Sequence, residues 1–374
     1  MVTILAIGAI QSLFFSMILL TKEEYTLSDK ILRWWLFVLF VHITANLLEL
    51  MGYYQKFPHL IGSSSSLVFL YGPFLYFYAK AYVSGSFEFR KVHLWHLLPF
   101  VIYNLALLPF YSQSAAYKLH YDQEVLTTHA PWEAMVALVA KTLTIPLYLV
   151  GTLILLRNHR RNIASYFSDL EKIDLRWLQY LVWSMVGVWG FVLISAVIKF
   201  RTNFEDAFHS EQYIFSAATL WVFGLGYYGL KQTPVFTNAM LRDRRKTAVT
   251  PRNSKLTPYE AEELRQRLIQ HMEKAQPYLR SKLTLHQLAS ELQLPAQTLS
   301  ELLNDNLNQN FYQFVNGYRV EEVKKRLQDP KYRNLTILGI ALECGFNSKA
   351  AFNRIFKQQT GLIPSAYMKG KEGP

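Results

Sequence analysis

Cysteine is almost absent from this sequence, which contains only Cys344 among its 374 residues. A single cysteine excludes a disulfide within the chain and a metal site built from several thiolates. The sequence also lacks a phosphate-binding Walker loop, a G-x-S-x-G nucleophile motif and an H-E-x-x-H zinc motif. We therefore expect no enzymatic activity, no catalytic residues, no metal and no cofactor.

Charged residues are also scarce, at 18% of the chain, and they are unevenly placed. Residues 1–230 contain 16 lysines and arginines and 14 acidic residues, whereas residues 231–374 contain 23 and 13. The excess of positive charge therefore lies in the last third of the chain, after a region, residues 1–230, that is rich in apolar and aromatic residues. A basic C-terminal region of this kind predicts a nucleic acid or an anionic membrane surface as its partner.

Long apolar segments recur through residues 1–230. A helix needs about 20 apolar residues to cross the core of a bilayer, and seven successive segments reach or approach that length. Their number predicts a seven-span transmembrane domain, and we expect the first segment to be a retained helix, because no basic residues precede it. The segments are Thr3–Leu20, Ile31–Met51, Ser66–Val83, Leu94–Tyr111, Trp132–Leu156, Trp177–Phe200 and Tyr213–Leu230.

Basic residues in the loops predict the orientation of these spans. Cytoplasmic loops of membrane proteins carry an excess of lysine and arginine. Here the excess lies in alternate loops, on the side that also holds the C-terminus, while the opposite loops contain only Lys56, Lys118, Lys199 and Arg201. The sequence thus predicts a multi-pass protein of the bacterial inner membrane, with its N-terminus outside and its C-terminal region in the cytoplasm.

Four polar residues fall inside the predicted spans. His42, Asn46 and Glu49 would share one face of the second span, and Lys141 lies within the fifth. Ionisable groups inside a membrane usually face the bundle interior and mark functional sites or structural networks. Two interpretations remain open: an intramembrane sensing site for an unknown signal ligand, or a structural polar network, which the sequence favours.

The body is followed by a polar, basic segment, residues 231–256, which is typical of a linker. A helix is predicted to begin after Thr257, because Thr257 and Glu260 form a capping-box pattern with Pro258 in the first turn. Its apolar stripe predicts an end near Gln276. This helix opens the domain predicted for residues 257–370.

A tandem repeat of helix-turn-helix spacing follows. The first unit begins at Thr284, where Gln287 completes a second capping-box pattern. Its apolar positions recur 52 residues later, in the pairs Leu285 and Ile337, Leu288 and Ile340, Ala289 and Ala341, and Leu292 and Cys344. Beyond the turn the offset becomes 53, from Leu299 to Phe352 and from Leu303 to Phe356. The second turn is therefore one residue longer, and a long helix is expected between the units.

The second unit carries the most specific motif, Gly345-Phe346-x-Ser348-x-x-x-Phe352-x-Arg354-x-Phe356-Lys357-x-x-x-Gly361-x-x-Pro364-x-x-Tyr367. With this motif, roughly the last hundred residues resemble the AraC/XylS family of bacterial transcription regulators. The resemblance implies two recognition helices that enter successive major-groove segments on one face of double-stranded promoter DNA.

The resemblance also implies the DNA-contacting residues. Base-facing positions fall at Gln297, Ser300 and Glu301 in the first unit, and Lys357 would contact phosphate. Two departures from the family weaken the first unit: Pro295 replaces the usual serine-like cap, and Glu301 stands where a basic residue is common. In the second unit the corresponding positions are Ser348, Lys349, Ala350, Ala351 and Arg354.

These observations predict an all-α protein that acts as a membrane-bound, sequence-specific transcription regulator and couples a membrane or extracytoplasmic signal to gene expression. Its expected partners are promoter DNA, the lipid bilayer and a signal ligand of unknown identity, and the sequence is compatible with a homodimer. The alternative is a transporter or channel-like membrane protein with a regulatory DNA-binding tail, which polar residues at mid-membrane would favour.

Overall fold

A computed structural model describes the backbone of residues 1–374 except 24, 85–86, 128–131, 172, 203–209, 232–255 and 370–374. The side chains of residues 122–127, 132–139, 141, 192, 195–202, 210–214 and 369 also lie outside the description. In the described part of the chain, regular structure is helical, apart from one isolated β-bridge between Phe167 and Thr284. The predicted linker, residues 231–256, lies almost entirely outside the described residues.

The chain forms two compact units. The first comprises Met1–Leu156 and Leu175–Leu241, and the second comprises Arg157–Asp174 and Arg242–Pro374. The second unit is therefore discontinuous in sequence, because it takes in the end of the helix Trp132–Ala164 and the connection that follows it.

The first unit contains a helix at each of the seven predicted apolar segments. Its described helices also include α3 and α6, which the sequence pattern does not predict. They are α1 (Val2–Ile18), α2 (Leu27–Leu50), α3 (Tyr53–Lys56), α4 (Val68–Val83), α5 (Leu98–Tyr111), α6 (Ala115–Thr127), α7 (Trp132–Ala164), α8 (Arg176–Thr202) and α9 (Ser210–Lys231).

Four helical stretches among the described residues are long and apolar enough to cross a membrane. They coincide with the first four predicted spans, and the count of seven stays a prediction. The core of the unit is apolar, yet large apolar side chains also cover its exterior; Ile10, Leu147 and Leu220 are each about 70% exposed or more. An exterior of this kind is typical of a bundle that faces lipid. The four stretches are Val2–Thr21, Leu27–Leu50, Pro58–Val83 and Lys91–Tyr111.

The second unit contains seven described helices, five of which begin at a side-chain cap. The predicted capping boxes at Thr257 and Thr284 are both present, and the first helix ends at Gln276, which adopts a left-handed conformation. The helices are α10 (Pro258–Ala275), α11 (Leu285–Glu291), α12 (Ala296–Glu301), α13 (Phe311–Gln328), α14 (Ile337–Glu343), α15 (Lys349–Thr360) and α16 (Pro364–Lys369).

Two apolar cores lie side by side in this unit, and α13 contributes to both. Phe314 on α13 packs with Leu268 and Leu288 in the first core, whereas Val323 packs with Ile340 and Phe352 in the second. The long connecting helix predicted between the two repeats is thus confirmed, and it joins them through apolar contacts.

Cys344 is fully buried in the second core, and this burial raises the pKa of its thiol to about 12. Since the thiolate is the reactive form, alkylation of Cys344 at pH 8 is expected to be about a thousandfold slower than that of a free thiol. The measurement is the rate of iodoacetamide incorporation with and without denaturant. Equal rates in the two conditions would contradict the buried position. Because Cys344 is the only cysteine, its labelling also reports unfolding of this unit alone.

Candidate nucleic-acid interface

The two helix pairs α11–α12 and α14–α15 repeat one arrangement. The helices α11 and α14 end 52 residues apart, at Glu291 and Glu343, whereas α12 and α15 begin 53 residues apart, at Ala296 and Lys349. The predicted spacing shift is therefore confirmed. The longer turn contains Gly345 at φ +91°, a conformation that side chains with a Cβ rarely adopt.

The helix α15 presents one polar, basic face. The Oγ of Ser348 caps the helix by accepting a hydrogen bond from the backbone N–H of Ala351 at 3.1 Å. Phe352 and Phe356 anchor the opposite face in the second core. The outward stripe carries Lys349, Ala350, Asn353, Arg354 and Lys357, of which Lys349, Ala350 and Lys357 are exposed.

The predicted base contacts Ala350 and Ala351 differ in exposure. Ala351 is only 8% exposed and packs in the second core, which does not favour contact of its methyl group with a thymine. Helical phase explains the difference, since one residue corresponds to a rotation of about 100°. Ala350, its neighbour, stays exposed and can approach the methyl group of a base.

Asn353 also lies on the outward face of α15, although it is not among the DNA-contacting positions that the family resemblance implies. It lies four residues after Lys349 and four before Lys357, in the middle of the outward stripe of α15. An asparagine can form a bidentate pair with adenine in the major groove. The helical spacing alone could have identified it.

Arg354 is partly buried at the edge of this face. Its Nη2 donates a hydrogen bond to the hydroxyl of Tyr312 on α13 at 3.1 Å. A guanidinium carries five N–H donors, so this bond leaves others to contact DNA. The contact with Tyr312 restricts the rotamers of Arg354, which lowers the entropy lost when it binds.

The first recognition helix, α12, is shorter and more polar. Gln297 is exposed, and the hydroxyl of Ser300 is within 3.1 Å of the amide of Asn304. The carboxylate of Glu301 accepts a hydrogen bond from the backbone N–H of Leu256 at 3.2 Å. Glu301 therefore has a structural contact at the start of the domain, in addition to its predicted role as a base-reading residue.

Three of the four polar residues predicted for an intramembrane site, His42, Asn46 and Glu49, have side chains that the structure describes. His42 is buried, and its Nδ1 lies 2.5 Å from the hydroxyl of Tyr71. The amide of Asn46 donates to the carbonyl of His42 within the same helix, and Glu49 is exposed near the end of α2. The side chain of Lys141 lies outside the described residues. The structure thus shows a polar contact between His42 and Tyr71, and an intramembrane site formed by the four residues stays a prediction.

Comparison with known families defines the class of the C-terminal domain. Residues 288–370 match a family model described as a helix-turn-helix domain. The match covers α12–α16 and the last four residues of α11, and therefore both recognition helices. The C-terminal domain is thus an AraC-type helix-turn-helix domain, as the motif around Gly345 predicts, and it is a DNA-binding domain.

Curated relatives extend this assignment. The chain is 35% identical, over 85 residues, to an uncharacterised HTH-type transcriptional regulator of Staphylococcus aureus strain COL. The same identity and length relate it to regulators of the same description from strains MSSA476 and N315. The aligned region covers 23% of this chain and only 11% of each relative. No solved structure matches the chain.

Proposed function

We propose that this protein is a membrane-bound transcription regulator that binds promoter DNA through α12 and α15 and responds to a signal received by its membrane domain. The observation that carries the proposal is the outward face of α15, where Lys349, Arg354 and Lys357 lie together on a helix anchored by two phenylalanines. Basic side chains on a recognition helix bind phosphates and guanine edges.

The membrane part of the proposal is supported by composition. Four described helical stretches are long and apolar enough to cross a bilayer, and the basic loops of the sequence fall on one side of the proposed spans. We infer seven spans over residues 1–230, a linker over 231–256 and a cytoplasmic DNA-binding domain over 257–370. In this arrangement the protein binds only DNA that is brought to the inner membrane.

Specific base contacts are assigned to Gln297, Ser300, Ala350, Asn353 and Arg354. Lys349 and Lys357 are assigned to phosphates, which supply sequence-independent affinity. Glu301 is assigned a role in base selection. Its negative charge repels phosphate, so it can bind only a base edge that donates a hydrogen bond to it. With this assignment, the second helix-turn-helix unit makes most of the contacts with DNA.

Replacing Arg354 with alanine tests the proposal. Loss of a guanidinium that binds a base or phosphate costs about 1–3 kcal/mol, so the full-length protein in nanodiscs is expected to bind its selected DNA sequence about 5- to 150-fold more weakly. The sequence is obtained by selection from a random duplex pool with the unmodified protein. Fluorescence anisotropy of the labelled duplex measures the affinity at fixed salt.

Two controls make the result specific. Arg265→Ala removes an exposed arginine on α10, which pairs with Glu262, and is expected to leave the affinity unchanged. Tyr312→Phe removes the hydroxyl that Arg354 contacts and separates positioning from direct binding. An unchanged affinity in Arg354→Ala, or failure of the unmodified protein to enrich any sequence, would refute the proposed function.

A further inference from the structure

The segment that joins α7 to α8 is built into the DNA-binding unit. Phe167 and Thr284 form an antiparallel bridge. On either side of it, the N–H of Ser168 donates to the carbonyl of Leu283 at 3.2 Å, and the N–H of Leu285 donates to the carbonyl of Tyr166 at 2.9 Å. Tyr166 also packs against the first core and stacks on His286. We call residues 166–169 the docking loop.

Ser168 is the buried centre of the docking loop. It is 1% exposed, and its hydroxyl donates to the carbonyl of Leu283 at 2.7 Å. Its own carbonyl accepts from the amide of Asn316 at 3.0 Å and from Nη1 of Arg319 at 3.3 Å. Two polar side chains of the connecting helix α13 thus bind the loop backbone.

Arg319 is a buried cation, 1% exposed, whose guanidinium donates hydrogen bonds to carbonyl and hydroxyl oxygens. Besides Ser168 it donates to the carbonyls of Tyr278 and Arg280, each at 2.8 Å. Burial lowers the pKa of its guanidinium to about 10, which leaves it protonated at neutral pH. A buried charge is costly unless its donors are satisfied, and the loop supplies two of the acceptors, the carbonyl and the hydroxyl of Ser168.

The docking loop also reaches the second helix-turn-helix unit. The side-chain amide of Asn347 donates a hydrogen bond to the carboxylate of Asp169. Asn347 directly precedes Ser348, the cap of α15, so the loop holds a negative charge next to the basic recognition helix. A carboxylate at this position repels the phosphates of an approaching duplex.

We propose that the surface formed by Leu283, Thr284, Asn316, Arg319 and Asn347 is a docking site for residues 166–169 of the same chain, and that docking restrains DNA binding. Because α7 leads into this loop and α8 follows it, a change in either helix is transmitted to the DNA-binding unit through the loop. The inference rests on the proposed function in that it requires the domain to bind DNA.

A reversible crosslink tests the docking. Opposed residues of such a bridge have Cα atoms about 4.5 Å apart, within the range that a disulfide spans. In the full-length protein, the triple variant Phe167→Cys, Thr284→Cys and Cys344→Ala is expected to form an intramolecular disulfide on oxidation, detected by mass spectrometry of the digested protein. Absence of the disulfide overturns the docking.

The DNA affinity of the crosslinked protein tests the restraint. A short random-sequence duplex is used as the probe, because the proposed repulsion acts on phosphates. The oxidised triple variant is expected to bind at least tenfold more weakly than the same protein after reduction, while the Phe167→Cys, Cys344→Ala variant shows no change. Equal or tighter binding when oxidised overturns the restraint alone. No binding in either state overturns the proposed function together with the restraint.

A charge variant provides an independent test. Asp169→Asn keeps an oxygen that can accept from Asn347 and removes the negative charge beside α15. Its affinity for the duplex is expected to rise about threefold at low salt and to return to that of the unmodified protein at high salt, where charges are screened. Glu171→Gln, an exposed acid in the same segment, is the matched control and is expected to have a smaller effect. Equal effects of the two variants would contradict a specific role for Asp169.

Discussion

Gly345→Ala is expected to lower the free energy of unfolding of the DNA-binding unit by about 3 kcal/mol or more, through a steric clash added to backbone strain. A Cβ at this position would lie 2.6 Å from the carbonyl oxygen of Tyr278 and 2.9 Å from that of Leu279. Both are backbone atoms, so neither can be relieved by a rotamer change. The turn before α15 would move, and the recognition helix with it.

Gly361→Ala is the matched control. Gly361 also has a positive φ, +78°, but nothing lies within 4 Å of a Cβ built there. Its substitution is expected to cost only the backbone strain of about 1–2 kcal/mol. The urea concentration at which Cys344 becomes labelled measures both variants in the full-length protein. Equal shifts would show that the carbonyls of Tyr278 and Leu279 do not limit the turn.

Arg319→Met is also expected to lower the free energy of unfolding of the DNA-binding unit by a large amount. The guanidinium donates to the carbonyls of Tyr278, Arg280 and Ser168, and methionine removes all of these bonds. The carbonyls of Ser168 and Arg280 keep one donor each, from Asn316 and Leu283, whereas that of Tyr278 loses its hydrogen bond from Arg319. A hydrogen bond from a charged donor contributes about 1.5–3 kcal/mol, so losing several of them is expected to lower the free energy of unfolding by about 3 kcal/mol or more. Arg319→Lys is expected to recover part of this loss, because an ammonium has three donors and no planar fork.

Arg265→Met on α10 controls for the loss of an arginine as such. Arg265 is exposed and pairs with Glu262, and surface substitutions usually change stability by less than about 0.5 kcal/mol. Labelling of Cys344 in urea again gives the free energy of unfolding. If Arg319→Met were as stable as Arg265→Met, the buried network would contribute little to the stability of the unit.

The elements predicted correctly are those fixed by local chemistry. The caps at Thr257 and Thr284 depend on residues three positions apart, and the repeat from Leu285 to Ile337 depends on apolar spacing. Such signals are contained in short windows of sequence. The AraC-type domain is predicted in the same way, from the local motif that begins at Gly345. The number of membrane spans depends on more than the length of the apolar segments, and seven spans stay a prediction.

The features that were missed depend on contacts between distant parts of the chain. Nothing near Ser168 indicates that it would be buried against Arg319, because the two residues are 151 positions apart. Ala350 and Ala351 are chemically identical, and only the packing of α15 decides which is exposed. Asn353 is a different case, because its place on the outward face of α15 follows from the four-residue spacing to Lys349 and Lys357.

The discontinuous make-up of the DNA-binding unit has a consequence for its biosynthesis. At roughly 5–20 residues per second, about 8–30 s separate the synthesis of Ser168 from that of Arg319. During that time α8 and α9 are synthesised, before any of the residues that bind the docking loop from the C-terminal part of the chain. The connecting helix α13 therefore binds a segment that was synthesised much earlier. A chain truncated before Arg319 lacks the guanidinium that donates to the carbonyl and the hydroxyl of Ser168.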